Sequence, residues 1–407
     1  MGPLQGIRVL DLSRILAGPW ASQALGDFGA DVIKIEKPKA GDDTRHWGPP
    51  WFKDPTGDDT GESAYYLCTN RNKRSVAIDI AKPAGQQLVR QLAAQSDILI
   101  ENYKVGGLAR YGLDYTSLSA ICPGLIYCSI TGFGQDGPYA GHAGYDAAIQ
   151  AMGGLMSITG EPDGAPGAGP QKVGVAVADL MTGMYATSAI LAALHHRQAT
   201  GRGQHIDLAL LDTQVAWLAN QASNFLVGGE VPERRGTGHP NIAPYQAVRA
   251  SDGHFMLAVG NDTQFAKFAV IAGDPGLATD PRFITNAARV QYRAELLQAI
   301  KPLLARQPLA FWLERLAAAH VPASPINRVD QVFDDPQVKA RGLRIELEHP
   351  LGGKVASVRN PIRFSETEIE YARAPPMLGA DTREVLGELL GLDAGALSAL
   401  ATDGTIG

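Results

Sequence analysis

The sequence predicts an α/β fold built on a parallel sheet, and three observations carry that reading. Short apolar runs alternate with helix-periodic segments through the first half of the chain. Polar motifs follow several of those runs, where open parallel sheets bind ligands. The 407 residues exceed what one simple core requires, so a second lobe is expected.

Strands are read at residues 7–12, 31–36, 75–80, 97–101 and 125–130, with helices at 18–29 and 83–95 between them. Such crossovers leave helices on both faces of the sheet. Ser13-Arg14 follows the first strand, Lys37 the second and Asn102-Tyr103 the fourth. A helix is read over 206–227, then a stretch rich in Gly, Pro and charge to residue 244. Residues 245–249 and 254–259 flank Ser251-Asp252-Gly253, a hairpin signature. Helices follow at 263–272, 289–306 and 309–319, then strands at 343–348 and 354–358 and a final helix at 382–390.

Composition excludes some functions. With 36 basic and 42 acidic residues the net charge is −6, which argues against a general nucleic-acid or anionic-membrane binder. No apolar stretch is read as spanning a bilayer, and the opening residues enter a strand-like run without a signal-type apolar segment. A cytoplasmic location is expected. Cys68, Cys122 and Cys128 form neither a disulfide framework nor a Cys-x-x-Cys pair. His142, His205, His239 and His254 lack ligand spacing with Cys or carboxylates, so no metal is expected.

Asp179 is the most informative residue. It sits where the apolar stretch 173–178 turns into a helix of Ala, Leu, Ile and Met. A carboxylate there is steadied by the helix N-terminus and can act as a nucleophile toward an activated acyl carbon. It can equally be a helix cap with no chemistry. Gly132-Phe-Gly-Gln-Asp-Gly137 fits a dinucleotide fingerprint but runs into Pro138-Tyr139-Ala140-Gly141, which is turn chemistry, and NAD binding is rejected. Arg71, Lys73 and Arg74, with Arg14, Lys37 and Arg110, lie near strand ends. They are either solvated charges or holders of a phosphorylated nucleotide such as coenzyme A. Tyr145-Asp146 opens another apolar helix, which Asp146 can cap.

Taken in order, several segments resemble the class III CoA-transferases, the group that includes formyl-CoA transferase, carnitine CoA-transferases and α-methylacyl-CoA racemase. They are Leu4-x-Gly-Ile-Arg-Val-Leu-Asp-Leu-Ser-Arg-Ile-Leu-Ala-Gly-Pro19, Gly29-Ala-Asp-Val-Ile-Lys-Ile-Glu-Lys-Pro38, Asn72-Lys-Arg-Ser75 and Asp97-Ile-Leu-Ile-Glu-Asn-Tyr103. Ala178-Asp-Leu-Met-Thr-Gly183, Thr200-Gly-Arg-Gly-Gln204, Val321-Pro-Ala-x-Pro-Ile-Asn327 and Leu378-Gly-Ala-Asp-Thr-Arg-Glu-Val-Leu386 complete the series.

The resemblance implies a Rossmann-like large domain, a smaller α+β domain and an obligate, interlocked homodimer. On that pattern residues 1–205 are the N-terminal part of the large domain and 206–244 a helical linker. Residues 245–325 form the small domain, and 326–407 return to the large one. Asp179 matches the family's catalytic aspartate. Coenzyme A contacts are implied at Arg14, Ile15, Ala17, Lys37, Ile78, Asp79, Ile80, Ala81, Asn102, Tyr103, Lys104, Arg110, Ala143, Gly144, Tyr145 and Asp146. Some relatives carry His or Gln where this chain has Arg14 and Leu16. The small domain's Gly260, Asn261 and Asp262 are expected at the acyl group.

The implied reaction moves CoA from an acyl-CoA to a carboxylic acid through an aspartyl anhydride and an aspartyl–CoA thioester, without metal. Racemisation of a 2-methylacyl-CoA is the alternative on this scaffold, but Tyr145 stands where those relatives carry a histidine base. A non-catalytic CoA-binding protein is the other. The segment Gly238-His-Pro-Asn-Ile-Ala-Pro-Tyr-Gln246 looks like the branch that uses succinyl-CoA with a dicarboxylate such as glutarate. Arg234, Arg235 or His239 would hold the distal carboxylate, unless they are linker charges.

Overall fold

The computed structural model describes residues 2–407, which divide into two compact units. The first comprises residues 2–153, 173–217 and 336–407, and the second 154–172 and 218–335.

The first unit is built on a six-stranded sheet. Numbering only its strands in chain order, these are β1 (Arg8–Asp11), β2 (Asp31–Glu36), β3 (Lys73–Ala77), β4 (Ile98–Glu101), β5 (Ile126–Thr131) and β6 (His205–Ala209). Every pair is parallel, and their order across the sheet is β3-β2-β1-β4-β5-β6. That is the doubly wound Rossmann order, whose direction of winding reverses between β1 and β4. Alternate side chains feed two cores. Leu10, Ile33, Val76 and Leu99 pack into one, and Val9, Val32, Ile98, Ile100 and Ile126 into the other.

Helices α1 (Ala17–Asp27), α2 (Pro83–Ala94), α3 (Asp146–Met152), α4 (Val177–Thr200) and α5 (Thr382–Leu390) pack into the cores beside this sheet. Helices α2 and α5 supply Leu88, Val89, Val385 and Leu386 to the first core, and α1 and α4 supply Ala21, Leu25, Ala186 and Ile190 to the second. At 24 residues α4 is long and apolar enough to cross a bilayer by length and composition, contrary to the sequence reading. Its Ala178, Thr182, Gly183, Ala186, Ile190 and Leu194 face are buried within this unit instead.

Two further readings are corrected. The helix expected over 206–227 opens as strand β6 and continues as two helices, Leu210–Ala216 and Ala219–Gly228. The run His205-Ile-Asp-Leu-Ala209 alternates polar and apolar, which suits an edge strand. A further helix, Ala394–Thr402, follows α5, with Asp393 accepting from Ala396 N as its cap.

In the second unit His254–Ala258 is the centre of a three-stranded antiparallel sheet, between Tyr245–Arg249 and Ala323–Pro325. Its core gathers Phe255, Leu257, Phe265, Phe268, Ile300, Trp312 and Leu316.

Candidate active site

The crevice at the carboxyl ends of β1 and β4 is where a doubly wound sheet leaves room for a ligand. The loops leaving these strands are tied together there. Arg14 N donates to Asn102 Oδ1 at 2.9 Å, and Asn102 Nδ2 donates to the Arg14 carbonyl at 2.7 Å.

Two clefts open from this clasp. One, of about 180 Å³, is lined by Ile15, Leu16, Ala17, Lys104, Gly144, Tyr145 and Asp179 among others. The second, of about 440 Å³, is lined by Lys37, Ile78, Asp79, Ile80, Ala81 and Arg110. Arg14 and Tyr103 line both. The first unit therefore gathers around one clasp nearly all residues expected at coenzyme A. Asn102 and Ala143 lie in the smaller cleft, and Asp146 stands just behind it.

Asp179 lies in the first turn of α4, whose N-cap, Ala176, offers no side-chain hydrogen bond. The cap comes from Asp146, whose Oδ1 accepts from Ala178 N at 2.8 Å and, at a longer 3.4 Å, from Asp179 N. Gln150 Nε2 holds the other Asp146 oxygen at 2.7 Å. Among the described residues no side chain hydrogen-bonds the Asp179 carboxylate. Its partial burial, then the neighbouring Asp146, push its pKa up to about 7. A partly buried carboxyl group without side-chain hydrogen bonds, at a helix start and facing a cleft, can act as a nucleophile once ionised.

Two close approaches set this geometry. A Cβ on Gly183 would stand 2.7 Å from the Ala17 carbonyl oxygen, so glycine lets α4 and α1 converge at their starts. A Cβ on Gly132 would stand 2.5 Å from the Gly144 Cα, so the end of β5 touches the segment leading into Tyr145 and Asp146. The glycine that imitates a dinucleotide fingerprint thus serves backbone packing.

The basic cluster separates. Arg71 forks onto Asp27 at 2.9 and 2.6 Å, and Arg74 pairs with Asp31 and Glu388. Lys73 is fully buried against Asp11, the Pro19 carbonyl and Asn70. These three line neither cleft, which corrects the reading of them as phosphate holders. Lys37, Lys104 and Arg110 are exposed at the clefts.

Sequence reasoning missed Glu101. Its carboxylate accepts from Tyr103 N at 2.8 Å, and burial pushes its pKa up to about 7. Its neighbour Ser129 bonds the His205 ring at 2.9 Å. An acidic residue ending a buried strand was the available signal.

Gly260, Asn261, Asp262 and His239 belong to the second unit. Asn261 caps the helix Asp262–Ile271 by accepting from Gln264 N, and Asp262 pairs with the buried Arg289 at 2.7 Å. The His239 Nδ1 accepts from Asn241 N, and burial, then Arg293, lower its pKa. Arg234 is committed to Asp163, whereas Arg235 is exposed.

The arrangement defines a class: an α/β protein with a partly buried carboxyl group in a cleft at the switch point of an open parallel sheet. The chain belongs to CoA-transferase family III, whose profile matches residues 4–382. It is 52% identical over 387 residues to a succinate–glutarate CoA-transferase of Agrobacterium fabrum, covering 95% of this chain and 96% of that one. It is 45% identical over 406 residues to a succinyl-CoA:glutarate CoA-transferase of Mus musculus, covering 100% and 91%. A crystal structure of a CaiB/BaiF family protein from Brucella suis superposes with a TM-score of 0.83 at 51% identity, covering 95% of this chain and 99% of that one.

Proposed function

We propose that this protein transfers CoA from succinyl-CoA to glutarate, with Asp179 as the covalent nucleophile. The observation that carries the reading is the Asp179 carboxylate, free of side-chain hydrogen bonds, in a cleft that shares Arg14 and Tyr103 with the larger groove. The names of the relatives support the acid pair.

A thioester bound across the two clefts would put its nucleotide near Lys37, Ile78–Ala81 and Arg110 and its acyl carbon near Asp179. One Asp179 oxygen attacks the thioester carbonyl, the C–S bond breaks, and the CoA thiolate leaves a mixed anhydride. The thiolate then attacks the aspartyl carbonyl, releasing succinate and leaving an Asp179–CoA thioester. Glutarate attacks that thioester and returns the thiolate. The thiolate then attacks the glutaryl carbonyl of the new anhydride, giving glutaryl-CoA and free Asp179. Each activated bond is exchanged for another, so no nucleotide hydrolysis is required. The large lobe with its returning C-terminal segment, the homodimer and a cytoplasmic location belong to the same reading. A cavity of about 720 Å³ in the first unit, lined by Trp20, Phe28, Trp51, Phe52 and Ile362, is an apolar surface a second copy can cover.

Intact mass after incubation with succinyl-CoA tests the chemistry. An adduct of CoA or succinyl mass, released by hydroxylamine and missing in Asp179→Ala, is expected. Turnover of that variant should fall by about 10³-fold or more. No adduct from any of a panel of acyl-CoAs, or an active Asp179→Ala, would sink the assignment. Solvent deuterium entering the α-position of a 2-methylacyl-CoA would point to racemisation instead.

A further inference from the structure

Residues 13–15, between β1 and α1, have their backbone held by side chains from elsewhere in the first unit. Ser13 N donates to Asp11 at 2.9 Å, and the Ser13 carbonyl accepts from Lys34 Nζ at 2.9 Å. Arg14 is held by Asn102 on both its N–H and its carbonyl. Ile15 N donates to both oxygens of Asp42 at 3.2 Å. Ile15 has φ +72°, a left-handed conformation that is an outlier for a β-branched residue. Such strain persists only where the surroundings over-determine it, and it clusters at ligand sites.

Asp42 is 1% exposed and pairs at 2.9 Å with Lys34, which is fully buried. Thr44 N and Oγ1 also donate to it, at 3.0 and 2.8 Å. Burial opposes its ionisation, yet the Lys34 ammonium and the Thr44 bonds hold its pKa down at about 2. Ile15 is followed by Leu16 and Ala17, and all three line the cleft with Asp179.

We propose that Asp42 is a positioning residue for the acyl-CoA site: by holding Ile15 N it keeps Ile15 left-handed and so fixes the cleft wall of Ile15, Leu16 and Ala17. The inference rests on reading that cleft as the acyl-CoA site. Asp42 does not line this cleft, although it lines the larger groove beside it, and its effect on the cleft wall runs through Ile15. The consequence separates it from a merely structural ion pair, because glycine at position 15 takes a left-handed φ without any clamp.

The test compares Asp42→Asn, Ile15→Gly and the double variant, with CoA binding by calorimetry, steady-state kinetics on succinyl-CoA, and unfolding temperature. Asp42→Asn is expected to weaken CoA binding and raise KM by about tenfold, with kcat far less affected. Ile15→Gly removes a side chain from the cleft wall and is the reference for the double variant: adding Asp42→Asn to it should cost less than about twofold in CoA affinity, against about tenfold in the parent. Ile15→Pro leaves the Asp42–Lys34 pair intact while removing the N–H and fixing φ near −65°. It should weaken CoA binding at least as much as Asp42→Asn; a lower unfolding temperature is expected from the changed backbone, and circular dichroism showing a folded sheet keeps the test decisive if Asp42→Asn fails to fold. Parental CoA affinity in Asp42→Asn or Ile15→Pro, or an Asp42→Asn substitution that costs as much in the Ile15→Gly background as in the parent, overturns the inference. A parent protein that does not bind CoA at all overturns the reading of the cleft, and the inference with it.

Discussion

The cap that Asp179 would supply on local sequence alone comes instead from Asp146, 33 residues upstream. This releases the Asp179 carboxylate and also leaves it beside a second acidic group. Burial and Asp146 both raise its pKa, so it is largely protonated below about pH 7 and nucleophilic above. The kcat/KM for acyl-CoA should therefore rise with pH through about 7. Asp146→Asn retains an acceptor for Ala178 N but removes the like charge. Its rising limb should move to lower pH, read from a pH–rate profile of parent and variant. A limb that does not move would mean that burial alone sets the shift.

At the scale of elements, two glycine contacts decide where the catalytic candidates stand. Gly183→Ala would press a methyl against the Ala17 carbonyl and Trp20 Cβ, forcing α4 from α1. A loss of about 1–3 kcal/mol in unfolding free energy is expected, together with reduced turnover. Denaturant titration and steady-state rates check both, and a fully active, fully stable variant would refute the close approach. Gly144→Ala meets Gly132 backbone at 2.4 Å and should displace Tyr145 and Asp146, lowering kcat/KM by about tenfold or more while the sheet stays folded. Circular dichroism alongside kinetics separates the two effects.

Over the whole first unit, the last residues of the chain return to the sheet edge that carries the larger groove. Asp79 N donates to the Thr405 carbonyl, Gly407 N donates to the Ala77 carbonyl, and Ile78 bridges Ile406. Ile78–Ala81 line the groove itself. Removing residues 403–407 should raise KM for succinyl-CoA several-fold and lower the unfolding temperature by a few degrees, on the order of 1–2 kcal/mol. An unchanged KM would show that the groove needs no such backing.

Much of this architecture was legible in the chain. Alternation of short apolar strands and helices gave the parallel sheet, and the residues after β1 and β4 marked its crevice, because strand period and crossover topology follow from local pattern. The motif order around Asp179 led to the family. Local pattern also misled where partners are distant. Arg71, Lys73 and Arg74 read as one basic patch, yet Arg71 meets Asp27 across 44 residues and Lys73 meets Asp11 across 62. Residues 206–209 read as helix, yet they pair with β5 as an edge strand. Tertiary structure alone decided which cations stay exposed, which aspartate caps and which is left without a side-chain partner, and that Asp42 holds Ile15 N. Those outcomes depend on charges and hydrogen bonds between residues brought together only when the sheet closes, and burial makes each such pairing worth far more than its sequence neighbourhood can reveal.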